Sequence, residues 1–178
     1  MQNNVPQQSD FQVLTFTVRY NSVEDRMILH VVNREGIKQG IYITRRLMDQ
    51  LVPVFAKHLE EKTPQGVPAD LVQSMTQEQV RQQRQEEPPS KTVEVDAQVP
   101  HWLCKTIHIN KQPAGLAVTL TDDTHFTVQL PLVEADLRTV LDIFRNSYVQ
   151  ASWGLDVFPE WSSPQHTPIQ PNSPTLLN

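Results

Sequence analysis

The chain has 178 residues and a formal net charge of −5, room for one medium domain or two small ones and too little basic character for a broad duplex-DNA footprint. A single cysteine excludes an intramolecular disulfide, and no apolar run approaches the length of a membrane span. Apolar residues concentrate in two blocks, about 11–62 and 102–153, while glutamines, prolines and the acidic excess lie mostly outside them.

The opening "MQNNVPQQSD" carries neither a basic n-region nor an apolar h-region. No signal peptide is expected there, the stretch is expected to be disordered, and the cytoplasm is the default compartment. "LTFTVRY" then alternates with period two and predicts a half-buried strand, with Leu14, Phe16, Val18 and Tyr20 on the core face. "NSVED" is a turn, "MILHVVN" a second strand, "NREG" a turn with glycine, and "IKQGIYI" a third strand. Met48, Leu51, Val52, Phe55 and Leu59 follow at helical spacing.

That helix opens on Arg45 and Arg46, although a helix N-terminus favours acidic side chains. Three uses for the pair compete. Their stems pack over apolar surface, they pair with Glu24, Asp25 or Asp49 or across an interface, or they meet an anionic partner.

Residues 63–100 form a polar connector. Within it "PADLVQSMTQEQVRQQRQEE" predicts a helix, with Pro68 at its first position and Leu71, Val72, Met75 and Val80 as its only apolar anchors. Such a helix lies on a surface or projects from it, either as a solvated connector or as a docking arm.

The second block reads "LCKTIHI", "LAVTLT" and "FTVQLPL" as strands, then "VEADLRTVLDIFRNSY" as a helix. Sliding the chain by 89 residues superposes the two patterns without a gap: Ile41 and Ile43 fall on Leu130 and Leu132, and Phe55 falls on Phe144. The match is one of pattern, since residue identity is at chance level. The shift also sets Glu134 and Ala135 opposite Arg45 and Arg46, so a shared fold does not itself require the arginines. "WGLDVFPEW" closes the block with Trp153, Phe158 and Trp161, which are expected to fold back over an exposed core edge or, in the functional reading, to anchor a partner; a Pro-, Ser- and Asn-rich tail expected to be disordered follows.

The expected fold is α+β: a tandem β-β-β-α repeat, each unit an antiparallel meander plus helix, packed as a pseudo-two-fold single domain like a single-chain dimer. The expected boundaries are a disordered 1–10, unit one at 11–62, the connector at 63–100, unit two at 101–153, and the aromatic segment with its tail at 154–178. Tandem meander-plus-helix units resemble Pur-type and Whirly-type single-strand binders in topology only. Those units have four strands where three are counted here.

The sequence holds no phosphate-cradling glycine loop, G-x-S-x-G elbow or H-E-x-x-H motif. The leading expectation is a non-enzymatic protein-interaction or accessory module with a protein partner and no cofactor, touching that partner through Arg45, Arg46, Trp153, Phe158 and Trp161. A single-stranded nucleic-acid binder is the alternative, using the outer sheet face of unit one through Arg19, His30, Lys38 and Tyr42 together with Arg45 and Arg46. The third reading is a metal or cysteine-dependent protein. It places Cys104 and His108 on one strand face of "HWLCKTIH", with His125 nearby.

Overall fold

Alternating apolar residues and turn residues produce seven strands and three helices in the computed structural model, which describes residues 11–88 and 91–164. The disorder expected at 1–10, and in the tail beyond 164, lies outside those residues. In chain order the elements are β1 (Phe11–Asn21), β2 (Arg26–Asn33), β3 (Lys38–Thr44), α1 (Arg45–Glu60), α2 (Ala69–Glu86), β4 (His101–Leu103), β5 (Thr106–Gln112), β6 (Gly115–Thr121), β7 (Thr127–Val133) and α3 (Glu134–Gln150), followed by a 3-10 turn at Glu160–Ser162. The fold is mixed α+β. One seven-stranded sheet runs in the order β4-β3-β2-β1-β7-β6-β5.

The sheet curls because two segments change partner along their length. In β1, Phe11 and Gln12 pair in parallel with Val128 and Gln129 of β7. From Val13 onward the same strand pairs antiparallel with β2. The switch occurs at a bulge, where the register slips by one residue between Val13 and Thr15. A bulge adds a residue to one strand and bends it. Leu14, expected on the core face, is turned out to solvent, while Phe11 and Val13 point in ahead of the bulge and Phe16, Val18 and Tyr20 pack on the core after it.

The second switch corrects the reading of "LCKTIHI" as one strand. The segment breaks at Cys104–Lys105: β4 pairs in parallel with β3, and β5 pairs antiparallel with β6. The Cys104 N–H donates to the Tyr42 carbonyl at 2.9 Å, and the next N–H, of Lys105, donates to the Thr121 carbonyl at 2.9 Å. The two ends of the sheet are thus consecutive pieces of the chain. The second block contains four strands where three were expected.

α1 and α3 cover the inner face of the sheet. Phe55 and Phe144 stack where the two helices meet, with ring centroids 6.3 Å apart and planes 16° from parallel. The "NREG" turn places Gly36 at φ 80°, which glycine adopts without steric penalty. Gly40 has a different constraint. It is the register partner of His101, and a Cβ built there would stand 2.2 Å from His101 Cδ2. We therefore expect Gly40→Ala to destabilise the fold by about 1–3 kcal/mol through overpacking, measured as a drop in urea midpoint. His101→Ala in the same chain should recover most of that loss, and strictly additive effects would refute the contact as its cause.

Candidate functional site

The start of α1 accommodates its arginines without an acidic first turn. Thr44 caps the helix, its Oγ1 accepting from the Leu47 N–H at 3.4 Å. Arg45 reaches along the helix to Asp49, Nε to Oδ2 3.5 Å, and its guanidinium lies 5.8 Å from the Trp153 ring centroid. Two of the three expected uses, covering apolar surface and pairing with an acid, thus meet in one side chain. Arg46 is exposed and forms no ion pair among the described residues.

The aromatic residues expected to anchor a partner face inward. Trp153, Phe158 and Trp161 are all buried. Trp153 meets Tyr20 and Tyr148 edge-on at 5.8 and 5.0 Å, and Phe158 meets Tyr148 at 5.0 Å. Their polar atoms are used as well: Trp153 Nε1 donates to Asp25 Oδ1, Trp161 Nε1 to Glu60 Oε1, and the Tyr148 hydroxyl to Asp49 Oδ1, each at 2.8 Å. Burial and the Asp49 carboxylate push the Tyr148 hydroxyl well above its ordinary pKa. Hydrogen bonds from Tyr20 and Trp153 hold the Asp25 carboxyl below the usual range, aided by Arg45. Residues 153–161 therefore run alongside α1, from Arg45 at its start to Glu60 at its end.

The outer face of β1–β3, offered as a nucleic-acid surface, lies beneath the second half of the connector. Val93 is buried there and its N–H donates to Thr17 Oγ1 at 2.9 Å. Lys38 Nζ donates to the Glu94 carbonyl at 2.6 Å, and Arg19 Nη2 meets the Glu94 carboxylate at 3.0 Å. His30 is buried, and desolvation, with Arg19 and His101 beside it, lowers its pKa. Tyr42 packs on His101 with centroids 6.0 Å apart. Of the cations expected to meet phosphates, Arg19 and Lys38 are engaged by Glu94.

Cys104 and His108 do not share a face, because the chain bends between them. Cys104 is buried, its Sγ donates to the Thr106 carbonyl at 3.3 Å, and His108 is exposed. Burial pushes the thiol up to about 11, so it is protonated at neutral pH and a poor nucleophile or ligand. Among the described residues no group of three His, Cys, Asp or Glu is placed to hold a metal ion.

The notable surface is on α2. Of its four expected apolar anchors, Val72 and Val80 are half-buried, yet Leu71 is 55% and Met75 58% exposed, while Gln73 is 1% and Gln77 0% exposed. Gln73 Nε2 donates to the Leu59 carbonyl at 3.0 Å and to Thr63 Oγ1 at 2.8 Å, and its Oε1 accepts from Arg138 Nη2 at 2.6 Å. Gln77 Nε2 donates to the Arg138 carbonyl at 3.0 Å. One turn further on, Arg81 Nε meets Asp142 Oδ1 at 2.7 Å. Gln73, Gln77 and Arg81 form an i, i+4, i+8 stripe against α1 and α3; Leu71 and Met75 stand away from it.

That stripe was missed because glutamine carries no periodic apolar signal. The available clue was the spacing of Gln73, Gln77 and Arg81 in an otherwise polar helix. No protein-family model, curated protein or solved structure matches the chain, so the geometry alone carries the functional reading.

His58, in the last turn of α1, gives the molecule a pH dependence. It is buried, and neither ring nitrogen has a hydrogen-bond partner. Desolvation, with Lys62 and Lys111 nearby, lowers its pKa below the ordinary 6.5. The folded form resists a proton that the unfolded chain accepts. Its contribution to stability is therefore full above about pH 6.5 and lost as pH falls through and below that value. We expect the urea midpoint to fall between pH 7.5 and 5.5 and His58→Leu to flatten that slope, with His30 supplying the remainder; equal slopes for wild type and His58→Leu would contradict this.

Proposed function

We propose that the protein is a non-enzymatic protein-interaction or accessory module whose contact surface is the outward side of α2. The observation that carries this reading is on that helix: Leu71 and Met75 stand exposed one turn apart on an element fixed by buried glutamines. Apolar side chains on a rigid helix face suit a protein groove or a second helix. Val67, on the approach to α2, is also exposed.

We also propose that the core is a pseudo-two-fold pair of β-β-β-α units. Several correspondences at a spacing of 89 support it. The parallel pair Gln12–Gln129 has its counterpart in Gly40–His101. Lys38–Thr44 of β3 corresponds to Thr127–Val133 of β7. Phe55 stacks on its own counterpart, Phe144. The i, i+4 ion pair Arg45–Asp49 has its charges exchanged in Glu134–Arg138. Such a core leaves the connector and the C-terminal segment as the parts that break the symmetry, and α2 belongs to the connector. The nucleic-acid alternative has less support, because Arg19 and Lys38 are engaged by Glu94.

The test compares wild type with Leu71→Asp/Met75→Asp in affinity recovery from nuclease-treated native lysate, followed by binding to the recovered protein after purification. The reading expects affinity for that protein to fall at least tenfold in the double variant with the melting temperature unchanged, since both sites are exposed. Undiminished binding by the double variant, or recovery of nuclease-sensitive material alone, would remove this surface from the account.

A further inference from the structure

β5 is an end strand of the sheet and among the described residues pairs only with β6, so its other edge is open. Backbone donors and acceptors on such an edge can pair with a further strand. A groove runs beside it, between β5 and α1, as two adjoining hollows of about 310 and 280 Å³ that share Val54 and Ile109. Leu47, Leu51 and Val54 of α1 face Ile107 and Ile109 of β5 across it. Lys105 stands at one end, just ahead of β5, and Lys111 and Lys57 stand at the other. The carboxylate on its wall, Glu61, is taken by Lys111 at 2.6 Å. Lys57 and Lys105 are exposed and form no ion pair among the described residues. His58 lines the Lys111 end, buried and with neither ring nitrogen hydrogen-bonded. No residue of α2 or of 153–161 lines the groove.

We propose that the groove takes an extended segment of a protein partner as an added strand on β5, with apolar side chains set against Val54, Ile107 and Ile109 and a carboxylate against Lys105. An added strand draws affinity from backbone hydrogen bonds and specificity from the side chains on its alternate face. The apolar middle with lysines at both ends asks for apolar residues flanked by acidic ones. A second copy of the chain does not fit that charge, since two β5 edges brought together would set lysines against lysines. Residues 165–178 of the chain itself contain three prolines and no Asp or Glu, so they supply neither the side-chain charge nor an unbroken row of N–H donors. The surface is separate from the outward side of α2, so either contact can fail without the other.

The probe is a capped, fluorescein-labelled peptide, Glu-Thr-Val-Thr-Val-Thr-Glu, titrated against the full chain by fluorescence anisotropy beside its counterpart with lysine in place of each glutamate. The acidic peptide should bind roughly tenfold tighter than the lysine peptide. Lys105→Glu should abolish that preference, and Val54→Asp should weaken both peptides about tenfold, each with the wild-type melting temperature, since both sites are exposed. Amide exchange in β5 should slow when the acidic peptide binds, and Leu71→Asp/Met75→Asp should bind it as wild type does. Equal binding of the two peptides, an unchanged preference in Lys105→Glu, or binding that leaves β5 exchange untouched would overturn the proposal. So would loss of binding in Leu71→Asp/Met75→Asp, which would put the peptide on α2. A dimer of the full chain that Val54→Asp abolishes would make a second copy the occupant and overturn it as well.

Discussion

An arginine that is 2% exposed sets the arrangement of the helical layer. Arg138 stands on the inward side of α3, and a buried charge is tolerated only when polar groups surround it. Glu134 supplies one acceptor at 3.0 Å from within α3, and Gln73 supplies a second from α2. The carbonyl of Arg138 is in turn used by Gln77. To meet these groups α2 must present Gln73 and Gln77 inward, and Leu71 and Met75 are left outside. The exposed strip of Leu71 and Met75 is thus a consequence of burying Arg138. Its Nε and Nη1, with Gln77 Oε1, have no partner among the described residues, so the interface gains less than a fully satisfied network would.

The corresponding place at the other end of the α1–α3 pair has a different solution. There the Tyr148 hydroxyl donates directly to Asp49, and no third helix intervenes. Aromatic packing from Trp153 and Phe158 seals that end. One end of the helix pair is closed by Trp153 and Phe158; at the other, amides of the connector stand beside Trp161 of the same segment. This difference gives the connector and the C-terminal segment distinct structural duties.

Much of the fold was legible in the sequence. Period-two alternation placed the strands, and the apolar stripes through Phe55 and Phe144 placed α1 and α3. Two strand features were not legible. The outward turn of Leu14 depends on a bulge whose purpose, pairing Phe11 and Gln12 with β7, is a long-range constraint. The break at Cys104 likewise follows from the closure of the sheet, and a run of alternating residues carries no sign of it. The expected contact surfaces fared differently. Aromatic residues beside a polar tail read first as a seal and second as anchors, and Trp153, Phe158 and Trp161 are buried. The α2 strip was invisible because apolar residues are assumed to point inward, and here a buried arginine draws Gln73 and Gln77 inward in place of Leu71 and Met75.

Native-state hydrogen exchange on Arg138→Met tests the dependence of α2 on that guanidinium most directly. Met keeps much of the side-chain volume and removes the charge and donors. The account predicts that amides of residues 73–84 lose protection and exchange through a local opening, while those of α1, α3 and β6 retain the protection of wild type. If the α2 amides remain as protected in Arg138→Met as in wild type, the helix is held by something other than the buried arginine, and the explanation for its outward apolar strip fails.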